Sequence, residues 1–145
     1  MFMNNNQKFL GIDYGDKKVG LAMADLETKI ATPYKILTND KDFLAKIKGI
    51  CLKENISEIV IGVPTGLQGV KSKQYKKVLN FISQLESKIK LPLERQDENL
   101  SSRYAQSLLK ETKDRKKDDA VAAMIILQSY LDEMGEKAPL SFRTK

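Results

Sequence analysis

From Glu58 to Pro64 the chain reads Glu-Ile-Val-Ile-Gly-Val-Pro, five apolar residues in a row closed by a proline. A run this short, rich in β-branched side chains and apolar on both faces, forms a strand that must be covered from both sides. That is the pattern of a central strand in a parallel or mixed sheet. It restricts the fold to a sheet with helices on both faces, and the rest of the chain supplies the parts.

Lys8 to Tyr14 reads as a strand, with Phe9, Gly11 and Asp13 on one face and Leu10, Ile12 and Tyr14 on the other. Gly15-Asp-Lys-Lys18 is a turn, and Val19 to Ala24 returns as a second strand, which makes a hairpin. A third strand is expected from Thr32 to Leu37. Asn39 or Asp40 is placed to cap a helix reaching about Glu54, with Phe43, Leu44, Ile47, Ile50 and Cys51 on its buried stripe. After a loop rich in Gly and Thr that ends near Lys71, Tyr75, Val78, Leu79, Ile82, Leu85 and Ile89 recur at helical spacing. Leu91 to Gln96 forms a fifth strand, Ser101 to Lys110 a helix, and Ala120 to Leu131 a last helix apolar on most of its surface. The order β-β-β-α-β-α-β-α-α predicts an α/β fold, a five-stranded mixed sheet with helices on both faces. At 145 residues, without repeat, low-complexity tract or linker, the expectation is one domain over 1–145, with 1–7 and 135–145 as flexible ends.

What the chain lacks narrows its chemistry. It has no histidine and one cysteine, which removes Ser-His-Asp and Cys-His nucleophiles, most zinc sites and any internal disulfide. Cys51 sits in the apolar stretch FLAKIKGICLKE and reads as a packed thiol. Catalysis would have to rest on carboxylates, lysines, hydroxyls or a hard cation. The net charge of +6 and a pI near 9.3 lean toward an anionic partner, nucleic acid before membrane. The start, MFMNNNQK, has neither the charged region nor the apolar core of a secretory signal, and no apolar run approaches membrane-spanning length. The expected location is the cytoplasm.

Three acidic positions stand out. Asp13 lies in the first strand between Gly11 and Gly15, and a buried unpaired carboxylate costs several kcal/mol, so it calls for a partner such as a cation. The flanking glycines leave space for a ligand or for backbone to come close; the plainer reading has Asp13 accepting hairpin N–H bonds. Asp97 and Glu98 fall where the fifth strand should end, at the edge where open α/β sheets collect ligands, although Asp97 or Asn99 would also serve simply to shape the turn. Asp118 and Asp119 open the last helix, where capping explains one acid more easily than two. Clustered carboxylates that stay ionised hold a divalent cation, and oxygen-only donors favour Mg²⁺ or Mn²⁺ over zinc. Two such ions would activate a water and stabilise the leaving oxygen of a phosphodiester. Lys17, Lys18, Lys71, Lys73, Lys116 and Lys117 surround these positions and are candidates to hold a nucleic-acid backbone, though each alone also reads as a solvated surface charge.

GIDYGDKKVGLA, IVIGVP with its glycine-containing loop, DENLSS and DAVAAMIILQSYLD, in that order, resemble the motifs of the YqgF family from about Lys8 to Asp132. Members of that family have a ribonuclease H-like fold and are described as pre-16S rRNA nucleases, and earlier as Holliday junction resolvases (RuvX). The resemblance implies a metal-dependent nuclease with Asp13, Glu98 and Asp119 as catalytic and metal-binding residues. Counting back from Ile126-Leu-Gln-Ser-Tyr-Leu131 selects Asp119, leaving Asp118 to cap the helix; Asp97 and Lys18 are weaker site candidates. The implied partner is structured RNA, an rRNA precursor, or alternatively branched DNA, with no membrane and with a monomer or weak homodimer. Where the family has Thr or Ser after the glycine, Asp16 stands here; where it has Arg after the motif Glu, Asn99; and TGLQGVKS replaces a loop resembling LNMDGT. An actin-like ATPase shares the opening motif but needs two such domains, and GLQGVKS lacks the P-loop order. A nuclease fold reduced to nucleic-acid binding is the remaining alternative, and the retained acids argue against it.

Overall fold

The computed structural model describes residues 7–64, 73–97 and 119–137. Within them the chain forms β1 (Lys8–Asp13), β2 (Lys18–Asp25), β3 (Ala31–Thr38), α1 (Phe43–Lys53), β4 (Ile56–Val63), α2 (Lys73–Lys88), β5 (Leu93–Asp97) and α3 (Asp119–Lys137). The five strands make one sheet in the order β3-β2-β1-β4-β5. β1 and β2, and β2 and β3, pair antiparallel, whereas β1, β4 and β5 run parallel. This is the mixed sheet expected from the pattern of apolar runs, with the Ile59–Val63 segment indeed inside it.

Alternation along the strands sorts the core into two layers. Leu10, Ile12, Val19, Leu21, Ile59 and Ile61 point to one face and meet Phe43, Ile47, Val78, Phe81, Ile82 and Leu85 of α1 and α2. Phe9, Ala22, Ala24, Ala31 and Val60 point to the other and meet Ala123, Ile126, Leu127 and Leu131 of α3. The small residues on the α3 side let that helix lie close to the sheet. Phe81, absent from the stripe read in the sequence, is an aromatic hub: it stacks on Tyr14 with ring centroids 4.3 Å apart and lies 5.4 Å from Phe43.

Several boundaries differ from expectation for local reasons. The cap of α1 is Asp42, not Asn39 or Asp40. Asp40 instead forms a turn just ahead of the helix, its Oδ1 accepting from Asp42 N at 3.0 Å and its carbonyl from Phe43 N at 3.1 Å. Asn39 donates its Nδ2 to the Gly15 carbonyl at 2.7 Å, so it serves the hairpin turn and not the helix. β5 begins at Leu93 because pairing with β4 starts at Ile59↔Leu93. α3 continues past Leu131 to Lys137. The helix expected over 101–110 lies outside the described residues.

Candidate active site

Asp13 is the last residue of β1, the middle strand of the sheet, and is half-buried. The strand's alternation turns it to the α3 face, with Phe9 and Gly11. Its neighbours in the sheet are glycines on both sides. Gly20 of β2 pairs with Asp13 directly. Ile12 pairs with Ile61, so the same register continued by one residue sets Gly62 of β4 on the other side. No side chain of the adjacent strands therefore stands in the row beside its carboxylate.

Those are not the glycines singled out in the sequence; of the two readings given for Gly11 and Gly15, room for a ligand or a close approach of backbone, the structure bears out the second. A Cβ at Gly11 would lie 2.8 Å from Leu127 Cβ and 3.1 Å from the Ala123 carbonyl, so Gly11 is the seat of α3. A Cβ at Gly15 would lie 2.6 Å from the Lys18 carbonyl, so Gly15 closes the hairpin turn. At both positions it is protein, not ligand, that comes close. The signal for Gly20 was present in the sequence: a turn over residues 15–18 leaves Asp13 opposite residue 20. Gly62 was not recoverable, because a parallel register is set by contacts distant in the chain.

Helix α3 runs antiparallel to β1, since Gly11 meets Ala123 and Leu127 while the earlier Phe9 meets the later Tyr130. Tyr130 meets Phe9 edge-on at 6.3 Å, and Tyr130 Oη donates to Glu58 Oε2 at 2.7 Å. Gln128 Oε1 accepts from Ala31 N at 2.8 Å, while its Nε2 donates to the Lys29 carbonyl and Asp132 Oδ1, each at 3.1 Å. Burial, and then the Glu58 hydrogen bond, push the Tyr130 phenol well above its ordinary range. Together these polar contacts pin the far half of the helix. From Ala123 back to Asp119 the helix spans about 6 Å, and from Gly11 on to Asp13 the strand spans about 6.6 Å. Gly11 meets Leu127 as well as Ala123, so Asp13 falls level with the first turn of α3.

β5 brings a third chain segment to the same edge. Val63 pairs with Asp97, so the parallel strands end together, and two strand spacings of about 10 Å separate β1 from β5. Gln96 is buried and donates its Nε2 to Glu133 Oε2 of α3 at 3.2 Å, which puts it on the Asp13 face. Asp97, the next residue, is exposed and by alternation falls on the opposite face from Asp13. Glu98 and Asp118 lie outside the described residues, as do Lys71, Lys116 and Lys117; Asp119 is described as the first residue of α3. Among the described residues no group of three acidic, His or Cys side chains is gathered as a metal site.

The turn after Asp13 is tied to α2 at two points. Gln74 of α2 donates its Nε2 to the Tyr14 carbonyl at 3.0 Å, and Lys77 Nζ bonds both Asp16 carboxylate oxygens at 3.0 Å. Asp16, the residue that departs from the resembled motif, is thus held by a lysine four residues into α2. Lys17 and Lys18 are exposed on this turn and Lys73 is exposed at the start of α2. No helix among the described residues is long and apolar enough to cross a membrane.

A bound hard cation would suit what is present: a half-buried carboxylate on a strand end, two glycines beside it, and oxygen donors in a chain with no histidine.

Similarity to known proteins runs through nearly the whole chain. The family model described as "RuvX: Holliday junction resolvase" matches residues 7–133. A protein of Orientia tsutsugamushi (strain Ikeda) named "Putative pre-16S rRNA nuclease" is 40% identical over 134 residues, 88% of this chain and 85% of its own length. One of the same name from Rickettsia akari (strain Hartford) is 37% identical over 136 residues, 89% of this chain and 88% of its own. Among solved structures, T. thermophilus RuvC in complex with Holliday junction substrate superposes with a TM-score of 0.55 at 12% identity, covering 92% of this chain and 99% of that one. That likeness establishes the fold as the ribonuclease H-like one of RuvC. With the family pattern and the two relatives both spanning more than four-fifths of it, the chain belongs to the RuvX family of nucleases.

Proposed function

We propose that this chain hydrolyses phosphodiester bonds in an rRNA precursor, trimming the 5′ side of pre-16S rRNA, with Asp13, Glu98 and Asp119 as the acids that hold Mg²⁺ or Mn²⁺. The observation that carries the reading is Asp13 at the end of the middle strand, level with the first turn of α3 and bordered by Gly20 and Gly62. Asp97 falls on the face opposite Asp13, and this supports Glu98, the acid that the family resemblance selects, as the second acid. When bound, the divalent ions supply charge neutralisation at the scissile phosphate and a more acidic attacking water. The protein's part is to hold the carboxylates apart from competing cations, to keep the flanks of Asp13 clear for phosphate, and to present Lys17, Lys18 and Lys73 to the backbone on either side. The rRNA substrate is favoured by the names of the relatives at 37–40% identity. A protein of this kind would act in the cytoplasm, as a monomer or weak homodimer.

The family's description favours a second reading, cleavage of a four-way DNA junction. One experiment separates the two. Labelled pre-rRNA leader and a four-way junction are incubated with wild type and Asp119→Asn, with Mg²⁺, Mn²⁺ or EDTA. RNA cleavage lost in EDTA and in the variant is the expected result. Junction cleavage alone would replace the RNA reading with the resolvase one, and full activity of Asp119→Asn would remove the proposed acids.

A further inference from the structure

On the face opposite Asp13, edge strand β3 and helix α1 enclose an open groove of about 230 Å³ lined by Tyr34, Lys35, Leu37, Lys46, Gly49, Ile50 and Lys53. Lys46, Gly49, Ile50 and Lys53 follow one another at i, i+3, i+4 and i+7 and so form one stripe of the helix. Ile50 turns into the core, while both lysines are exposed. Lys35 stands across the groove, its Nζ 5.3 Å from the Tyr34 ring centroid. Neither β3 nor α1 contains an acidic residue. The adjoining carboxylate, Glu54, is already engaged: it accepts from Tyr34 Oη at 3.1 Å and from Lys8 Nζ at 3.4 Å. The lining of the groove carries three lysines and no acid.

Its floor holds a glycine that packing does not require. A Cβ at Gly49 would meet nothing within 4 Å, and the residue lies in the interior of a helix, where glycine weakens the helix relative to alanine. What its missing side chain does supply is depth between Lys46 and Lys53, so that a partner can reach close to the helix. The groove also joins the edge of the sheet that carries the site. Lys35 pairs with Leu21, and Leu21 with Ile12, the residue before Asp13. At its upper end Thr38 pairs with Lys18, and Asn39 N donates to the Lys17 carbonyl at 2.9 Å. The lysines of the turn therefore lead from the edge beside Asp13 into the groove.

We infer that this groove is a second contact site for the phosphodiester backbone of the nucleic-acid substrate, engaging phosphates a few nucleotides from the bond cut at Asp13. This rests on the nuclease reading for the identity of the substrate, but not for the binding itself. Lys35, Lys46 and Lys53 are point charges suited to phosphates. The Tyr34 ring carries Lys35 and serves to place it.

The test is equilibrium binding of a fluorescein-labelled RNA hairpin with a single-stranded tail, followed by anisotropy in EDTA over a range of salt. The variants are Lys35→Gln/Lys46→Gln/Lys53→Gln, Gly49→Leu, and Lys88→Gln/Lys90→Gln at the far end of α2. The triple variant should bind about tenfold or more weakly, and its log Kd against log salt slope should shrink by about two, at roughly 0.7–0.9 for each phosphate no longer neutralised. Gly49→Leu should weaken binding while raising the thermal midpoint, because leucine is the better helix former. The Lys88/Lys90 variant should bind as wild type. Wild-type affinity in both the triple variant and Gly49→Leu would overturn the proposal, as would wild type that does not bind the hairpin. It would also fall if the groove variants changed only a dimer seen by sedimentation, for then a second copy occupies the groove. Cleavage of the same hairpin with Mg²⁺ is scored separately: a wild type that binds through the groove without cutting leaves the groove standing and removes the nuclease reading.

Discussion

Asp13 and Cys51 show how one side chain's surroundings set its use. Asp13 ends a strand, half-buried, and asparagine has nearly the same shape, so exchanging its carboxylate for an amide changes little packing. Asp13→Asn should melt within a few degrees of wild type. Its cleavage rate should nevertheless fall by more than the roughly 10–100-fold that accompanies loss of an outer-shell partner at a metal site. Circular dichroism paired with the leader-cleavage assay checks both halves; a cooperative fold with undiminished cleavage would disprove the role. Cys51 is the reverse case. It is buried within the core that α1 shares with the sheet, and burial pushes its thiol up to about 11 from an ordinary 9.0. At pH 8 the native thiolate fraction is then about a hundredfold lower than in the unfolded chain. Native protein should react with a thiol reagent at least that much more slowly than protein in denaturant. Fast native labelling would contradict the burial.

Among the elements, α3 carries the most consequence, because its seat on β1 decides where its first turn falls. The seat is Gly11 against Leu127 Cβ and the Ala123 carbonyl, neither of which is the movable end of a flexible side chain. Gly11→Ala must therefore push the helix outward. Such overpacking costs about 1–3 kcal/mol, and urea denaturation should show a loss of that size. Because the displaced helix begins at Asp119, cleavage should drop even at temperatures where the variant is fully folded. A variant as stable and active as wild type would mean that α3 is not held by this contact. The opposite end of the helix is fixed by polar groups. Gln128 satisfies the buried Ala31 N–H and the carbonyl of Lys29, a residue held at φ 55°, and so locks the β2–β3 connection to the helix.

For the molecule as a whole, the proposed site would bring negative charge together at one edge of a protein whose net charge is +6. A cation that binds the folded state and not the unfolded chain stabilises by RT ln(1 + [L]/Kd), about 2.7 kcal/mol at a hundred times Kd. Saturating Mn²⁺ should accordingly raise the melting midpoint of wild type by several degrees, EDTA should reverse the gain, and Asp13→Asn should show little of it. An equal rise in both proteins would place the ions elsewhere. Much of this architecture could be read directly from the chain. The apolar run at Ile59–Val63, the alternation through Phe9 to Tyr14 and the helical spacing of Val78, Ile82 and Leu85 are local patterns, and each encodes an element because burial has a different period in strand and helix. Asp13 and the acidic pairs Asp97/Glu98 and Asp118/Asp119 were conspicuous in the same way, beside an apolar strand or at a helix start, while the choice of Glu98 and Asp119 within those pairs came from the family resemblance. What no local pattern carried was the registration between segments far apart. That Gly11 seats a helix, that Gly62 is brought beside Asp13, that Asp97 turns away while Gln96 faces α3, and that Gly49 deepens a basic groove all depend on contacts across dozens of residues. Those contacts are decided by how the two faces of the sheet are filled, and only the folded chain fills them.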